Sequence, residues 1–150
     1  MRMRLTVFFL AGCCAIGAAK AQDPTEKELN DFTNKFVECA GLYQWSSELS
    51  SRLNKPAASE HMQNMGRGAI VAGAYILSTL WNAQNIDKAG RPLGEWIDQL
   101  ERQADAQKVR FAAIEESEDY DFLNKRLEVC VELSSAQEEV LTEVRNSYIR

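Results

Sequence analysis

The three prolines of this 150-residue chain constrain its fold more than any other feature, because each stands immediately before a long stretch with helical periodicity. Pro24, Pro56 and Pro92 all suit the first turn of a helix, where a backbone N–H has no partner to lose. In the stretches that follow, apolar residues recur at every third or fourth position, and no segment shows the sustained alternation of a β-strand. The sequence therefore predicts an all-α fold.

The apolar spacing predicts four helices of similar length, joined by short connections. Helix one runs from about Pro24 to Leu53, with Asp23 as its cap, and helix two runs from Pro56 to residues 82–85. Helix three begins at Pro92 and ends before an acidic turn at residues 115–121. Helix four then carries the apolar stripe Leu123, Leu127, Cys130, Leu141, Val144 and Tyr148. This pattern favours an up-down-up-down four-helix bundle.

Residues 1–21 have the composition of an export signal. Arg2 and Arg4 are followed by an uncharged apolar segment, and the segment ends in the small-x-small sequence Ala19-Lys20-Ala21. Signal peptidases cut after such a sequence, so the mature protein is expected to begin at Gln22. Residues 22–150 then form a single domain, which we expect to be periplasmic or secreted.

Two other interpretations of the same segment stay open. The sequence Leu10-Ala11-Gly12-Cys13 matches a bacterial lipobox, and acylation of Cys13 would anchor the protein to a membrane. A retained membrane helix is the other alternative, although the apolar stretch is shorter than the roughly 20 residues that span a bilayer.

Removal of residues 1–21 takes away three of the 17 basic side chains and none of the 22 acidic ones, so the net charge changes from −5 to −8. An acidic surface without a basic stripe repels phosphate backbones. We therefore expect no nucleic acid among its partners.

Cleavage would also leave two cysteines, Cys39 and Cys130, in an oxidising compartment. In an antiparallel pair formed by helices one and four, both residues lie at a similar depth, within one helical turn of each other. The sequence therefore predicts a disulfide between them. The two are 91 positions apart and form no C-x-x-C motif, so a redox enzyme is disfavoured.

Helix two has an unusual number of small residues and no charge from residue 68 to residue 86. Glycine inside a helix costs about 1 kcal/mol relative to alanine, so its presence calls for a structural reason. Close approach of a neighbouring helix is one reason. A pocket for a small apolar ligand is another, with the candidate lining Gly66, Ala69, Gly73 and Trp81. Insertion into a membrane is the third, although the firmly apolar part, residues 69–81, is too short to span a bilayer.

Trp45 lies off the main apolar stripe of helix one, so we expect it to be partly exposed and to anchor a protein partner. Glu118 and Asp119 are candidates for a rim that steers a basic partner towards it. Core packing is the alternative role for the tryptophan.

The sequence indicates no catalytic or metal-binding residues and no cofactor. His61 is the single histidine, and it cannot complete a zinc site once both cysteines are in a disulfide. The acidic run lacks the ligand order and the glycine of an EF-hand. The expected function is protein binding in the cell envelope, as an inhibitor, immunity or accessory protein, rather than catalysis. The alternatives are a carrier of an apolar ligand and a lipoprotein anchored at Cys13.

Overall fold

A computed structural model describes residues 25–148 and shows five α-helices with no strand in that range. The all-α prediction is confirmed, whereas the predicted number of four helices is wrong. The helices are α1 (Glu26–Arg52), α2 (Pro56–Gln84), α3 (Leu93–Glu116), α4 (Tyr120–Glu132) and α5 (Ser134–Tyr148).

The first helix starts later than its sequence suggested. Thr25 is the N-cap: its hydroxyl accepts from the backbone N–H of Glu28, and the Glu28 carboxylate accepts from the N–H of Thr25 at 2.7 Å. These bonds form a capping box, and the one donated by the Thr25 N–H to the carboxylate lowers the pKa of Glu28. The prediction of Asp23 as the cap is therefore wrong, because the reciprocal pair forms two residues further on.

The starts of the next two helices follow the prolines. Pro56 is the first residue of α2, and Pro92 is the N-cap of α3. Asn54 reverses the chain between α1 and α2 with a positive φ of 55°. Asparagine adopts this left-handed conformation more readily than most residues, so the turn suits its sequence.

Helix α1 packs between α2 and α3, and its backbone comes close to that of α3 at Gly41. A methyl group added at Gly41 would lie 2.5 Å from Gln107 Cβ and 2.6 Å from the carbonyl oxygen of Ala104. One at Gly66 of α2 would lie 3.4 Å from the carbonyl oxygen of Ala40. The backbones of α1 and α3 therefore approach one another through a gap that accommodates only glycine.

The predicted fourth helix is broken at Leu133 into α4 and α5. The hydroxyl of Ser134 donates to the carbonyl of Val131 at 2.6 Å, which is a local bond that competes with the regular helical pattern. Beyond the break α5 lies against α2, where the amide of Gln137 donates to the carbonyl of Met65 at 3.2 Å. The break thus redirects the last helix onto the second one.

The buried apolar residues of the described range form two hydrophobic clusters. The first joins α1, α2 and α3 around Phe36, Ile70 and Leu100. The second joins α1, α3 and α4 and surrounds the disulfide between Cys39 and Cys130, whose Cα atoms are 5.4 Å apart. The predicted disulfide is confirmed, and it fastens α4 to the middle of α1.

The proposed signal segment and Cys13 lie outside the described residues. Among the helices that the structure describes, none combines the length and the apolar character needed to cross a membrane.

Candidate binding groove

A groove of about 540 Å³ runs between the C-terminal parts of α1 and α3 and ends at the turn that leads into α4. Positions 45, 48 and 52 share one face of α1 because they are three and four residues apart. Positions 112, 115 and 116 share a face of α3 for the same reason. The lining residues are Trp45, Glu48, Arg52, Ala112, Glu115, Glu116, Glu118 and Tyr120.

The centre of the groove is a three-residue network that joins α1 to α3. The indole N–H of Trp45 donates to Glu115 Oε2 at 2.8 Å, and Arg52 Nη2 donates to the same oxygen at 2.8 Å and to Oε1 at 3.1 Å. The bond from Trp45, and then those from Arg52, lower the pKa of Glu115. Glu115 is therefore a charged side chain with both oxygens occupied.

A second ion pair joins α1 to α3 at Glu48 of the groove lining. Lys108 Nζ of α3 lies 2.8 Å from Glu48 Oε1 of α1, and this hydrogen bond raises the pKa of Lys108. Two of the four carboxylates that line the groove, Glu48 and Glu115, thus already have cationic partners from within the chain.

The rim is formed by the turn between α3 and α4. Within residues 25–148, Glu116 and Glu118 make no ion pair, and Tyr120 is 55% exposed. Glu118 adopts a left-handed conformation with a φ of 61°. That conformation costs a non-glycine residue about 1 kcal/mol, and such costs are often found at functional sites.

The structure brings two of the predicted partner-binding residues, Trp45 and Glu118, to the same groove. The expected partial exposure of Trp45 is wrong: only 8% of it is exposed, because α3 and α4 cover the face of α1 that carries it. Asp119 is exposed but is not part of the groove lining. Its carboxylate accepts from the N–H of Phe122 at 3.1 Å and caps α4.

Sequence reasoning missed Arg52, Glu115 and Tyr120. Their signal was present in part, since Trp45, Glu48 and Arg52 recur at three- and four-residue spacing along one helical face. What the sequence did not show was that this face lies opposite Glu115 of α3.

The small-residue face of α2 is filled by its neighbours. Ala69 is fully buried, and a methyl group at Gly73 would lie 3.0 Å from Leu100 Cδ1 of α3. Trp81 is half-buried and packs against the first hydrophobic cluster. These contacts favour close helix packing over a ligand pocket at Gly66, Ala69, Gly73 and Trp81, so the pocket stays a prediction without support.

His61 is exposed, and residues 25–148 contain no group of three or more His, Cys, Asp or Glu side chains that could hold a metal ion. No family model, curated protein or solved structure matches the chain.

Proposed function

We propose that this chain is an exported protein of the bacterial envelope that binds a protein partner through the groove between α1 and α3, as an inhibitor, immunity or accessory protein does. The observation that supports this most is the composition of the groove. It combines an aromatic floor at Trp45, an exposed aromatic side chain at Tyr120 and two carboxylates without an ion pair in residues 25–148.

The export part of the proposal depends on residues 1–21 and is compatible with the disulfide. Disulfides persist in oxidising compartments and are rare in the cytosol. A cross-link buried between α1 and α4 is therefore what an exported protein of this size would be expected to carry.

The shape and exposure of the groove suit a macromolecular partner. Its walls carry long exposed side chains, since the side chains of Glu48 and Arg52 are both 61% exposed. Aromatic and arginine residues dominate the binding energy of protein interfaces, and a ring of polar groups around them excludes water. The hydrogen bonds and the ion pair that join α1 to α3 at Glu115 preorganise the groove before a partner binds.

Site-specific photocrosslinking in the envelope of the producing bacterium tests the proposal. A photoreactive phenylalanine analogue at position 120 should form one discrete adduct with a partner protein. The matched control is the same analogue at position 148, because Tyr148 is 63% exposed and lies on α5, outside the groove. If position 120 gave no adduct, or the same adducts as position 148, the groove would not be the binding site.

A further inference from the structure

We propose that the partner presents an arginine side chain to the rim of the groove, where its guanidinium group stacks on Tyr120 and donates hydrogen bonds to Glu116 and Glu118. This inference rests on the proposed function and adds the chemistry of the contact.

The charge balance of the groove supports a cation. Four carboxylates line it, and the chain itself supplies cations for two of them through Arg52 and Lys108. Glu116 and Glu118 make no ion pair within residues 25–148, and both side chains are exposed. A partner that brings one positive charge between them gives both carboxylates a cationic neighbour without displacing any existing contact.

Tyr120 supplies an aromatic ring at the same rim of the groove. It is the first residue of α4, two positions after Glu118, and it lines the groove together with Glu116 and Glu118. The face of an aromatic ring attracts a cation placed above it. An exposed tyrosine beside two carboxylates therefore offers both stacking and hydrogen bonding to one side chain.

Arginine fits this arrangement better than lysine does. Its planar guanidinium group presents several N–H donors in fixed directions, so it can stack on a ring and bond to two carboxylates at once. The occupied half of the groove already contains an arginine–carboxylate pair, because Arg52 Nη2 donates to both oxygens of Glu115. The ammonium group of lysine is a compact point charge that does not stack.

Titration of the full-length, disulfide-bonded protein with short capped peptides tests the inference by NMR. The peptides Ac-Ala-Arg-Ala-NH2, its lysine counterpart and its citrulline counterpart differ only in the central side chain. We expect the arginine peptide to shift the indole N–H signal of Trp45 and the backbone amides of residues 116–120. Binding of the lysine peptide should be about three times weaker, and the citrulline peptide should cause no shifts.

Two variants locate the contact. The double variant Glu116→Gln with Glu118→Gln should weaken binding of the arginine peptide about fivefold, and Tyr120→Ala should weaken it about threefold. The matched control is Glu139→Gln with Glu143→Gln, which removes the same charge from exposed positions of α5. It should change binding less than twofold, and the amide spectrum of each variant shows whether it is folded.

If the α5 control weakened binding as much as the groove variants do, the peptide would be responding to overall charge. If the lysine peptide bound as tightly as the arginine peptide, the preference for arginine would be wrong. A crosslinked partner at position 120 without any effect of the arginine peptide would overturn this inference alone. Shifts with the arginine peptide but no crosslinked partner would overturn the proposed function, and with it the claim that a partner supplies the arginine.

Discussion

The indole N–H of Trp45 in α1 and the carboxylate of Glu115 in α3 are joined by a 2.8 Å hydrogen bond across 70 positions of sequence. Both residues line the groove, and Trp45 also belongs to the second hydrophobic cluster. Trp45 therefore combines a core position with a place in the groove lining, two roles that the sequence presented as alternatives.

Replacement of Glu115 by glutamine should make the free energy of unfolding depend less on pH in the acid range. The hydrogen bonds from Trp45 and Arg52 hold the pKa of Glu115 in the folded protein below its ordinary value. Its carboxylate thus stabilises the fold above the unfolded-state pKa of about 4.3, and this contribution is lost as the pH falls through the lower folded-state pKa. Urea unfolding should show a stability gap between wild type and Glu115→Gln at pH 7 that narrows below about pH 4. A gap that stayed constant with pH would contradict this linkage.

Gly41→Ala should be strongly destabilising, although alanine is the better helix former. The added methyl group would overlap the backbone of α3, which cannot move aside as a flexible side chain can. We expect a loss of about 3 kcal/mol in the free energy of unfolding, measured by urea denaturation. Gly66→Ala is the matched control: its nearest contact is an ordinary 3.4 Å, so the variant should be neutral or up to about 1 kcal/mol more stable. Similar results for the two variants would show that α1 and α3 do not approach this closely.

Removal of the disulfide by Cys39→Ala with Cys130→Ala should lower the free energy of unfolding by about 4 kcal/mol, because the link closes a long loop in the unfolded chain. Chemical denaturation under non-reducing conditions measures the loss. Wild-type protein treated with a reductant should show a similar loss. A decrease below about 1 kcal/mol in both would mean that packing alone holds α4 in place.

Glu118→Gly should raise stability and weaken binding at the same time. Glycine adopts the left-handed conformation of this position without a steric cost, which should add about 0.5 kcal/mol to the free energy of unfolding. The loss of the carboxylate should weaken binding of the arginine peptide. Asn54→Gly is the control, since Asn54 has a similar φ of 55° outside the groove lining and should leave peptide binding unchanged. A Glu118→Gly variant that bound the peptide as tightly as wild type would exclude this side chain from the contact.

The helical class, the proline-led starts of α2 and α3 and the disulfide could all be predicted from the sequence, because each depends on local chemistry or on simple helix geometry. Cys39 and Cys130 were matched in depth by counting residues along two antiparallel helices. Such counting tolerates errors of a few residues at the helix ends. It therefore succeeded although the exact bounds of α1 and the cap at Thr25 were not foreseen.

The break at Leu133 and the burial of Trp45 could not be predicted in the same way. The break contains neither glycine nor proline, and it is accompanied by the contact of α5 with α2 rather than by a strong local signal. The apolar stripe of α1 predicts a smaller buried surface than the structure shows, because α2 covers one side of the helix and α3 and α4 cover others. Five consecutive residues, 39–43, are buried as a result.

The bond between Cys39 and Cys130 turns the middle of the molecule into a closed covalent ring that contains all of α2 and α3. The first half of α1 and the whole of α5 are tails attached to this ring. A protease that cuts the exposed connection at residues 85–92 would produce two polypeptides. The disulfide would keep them joined, so no fragment would be released. The two walls of the groove come from different polypeptides of such a nicked molecule, so both walls would stay within one covalently connected molecule.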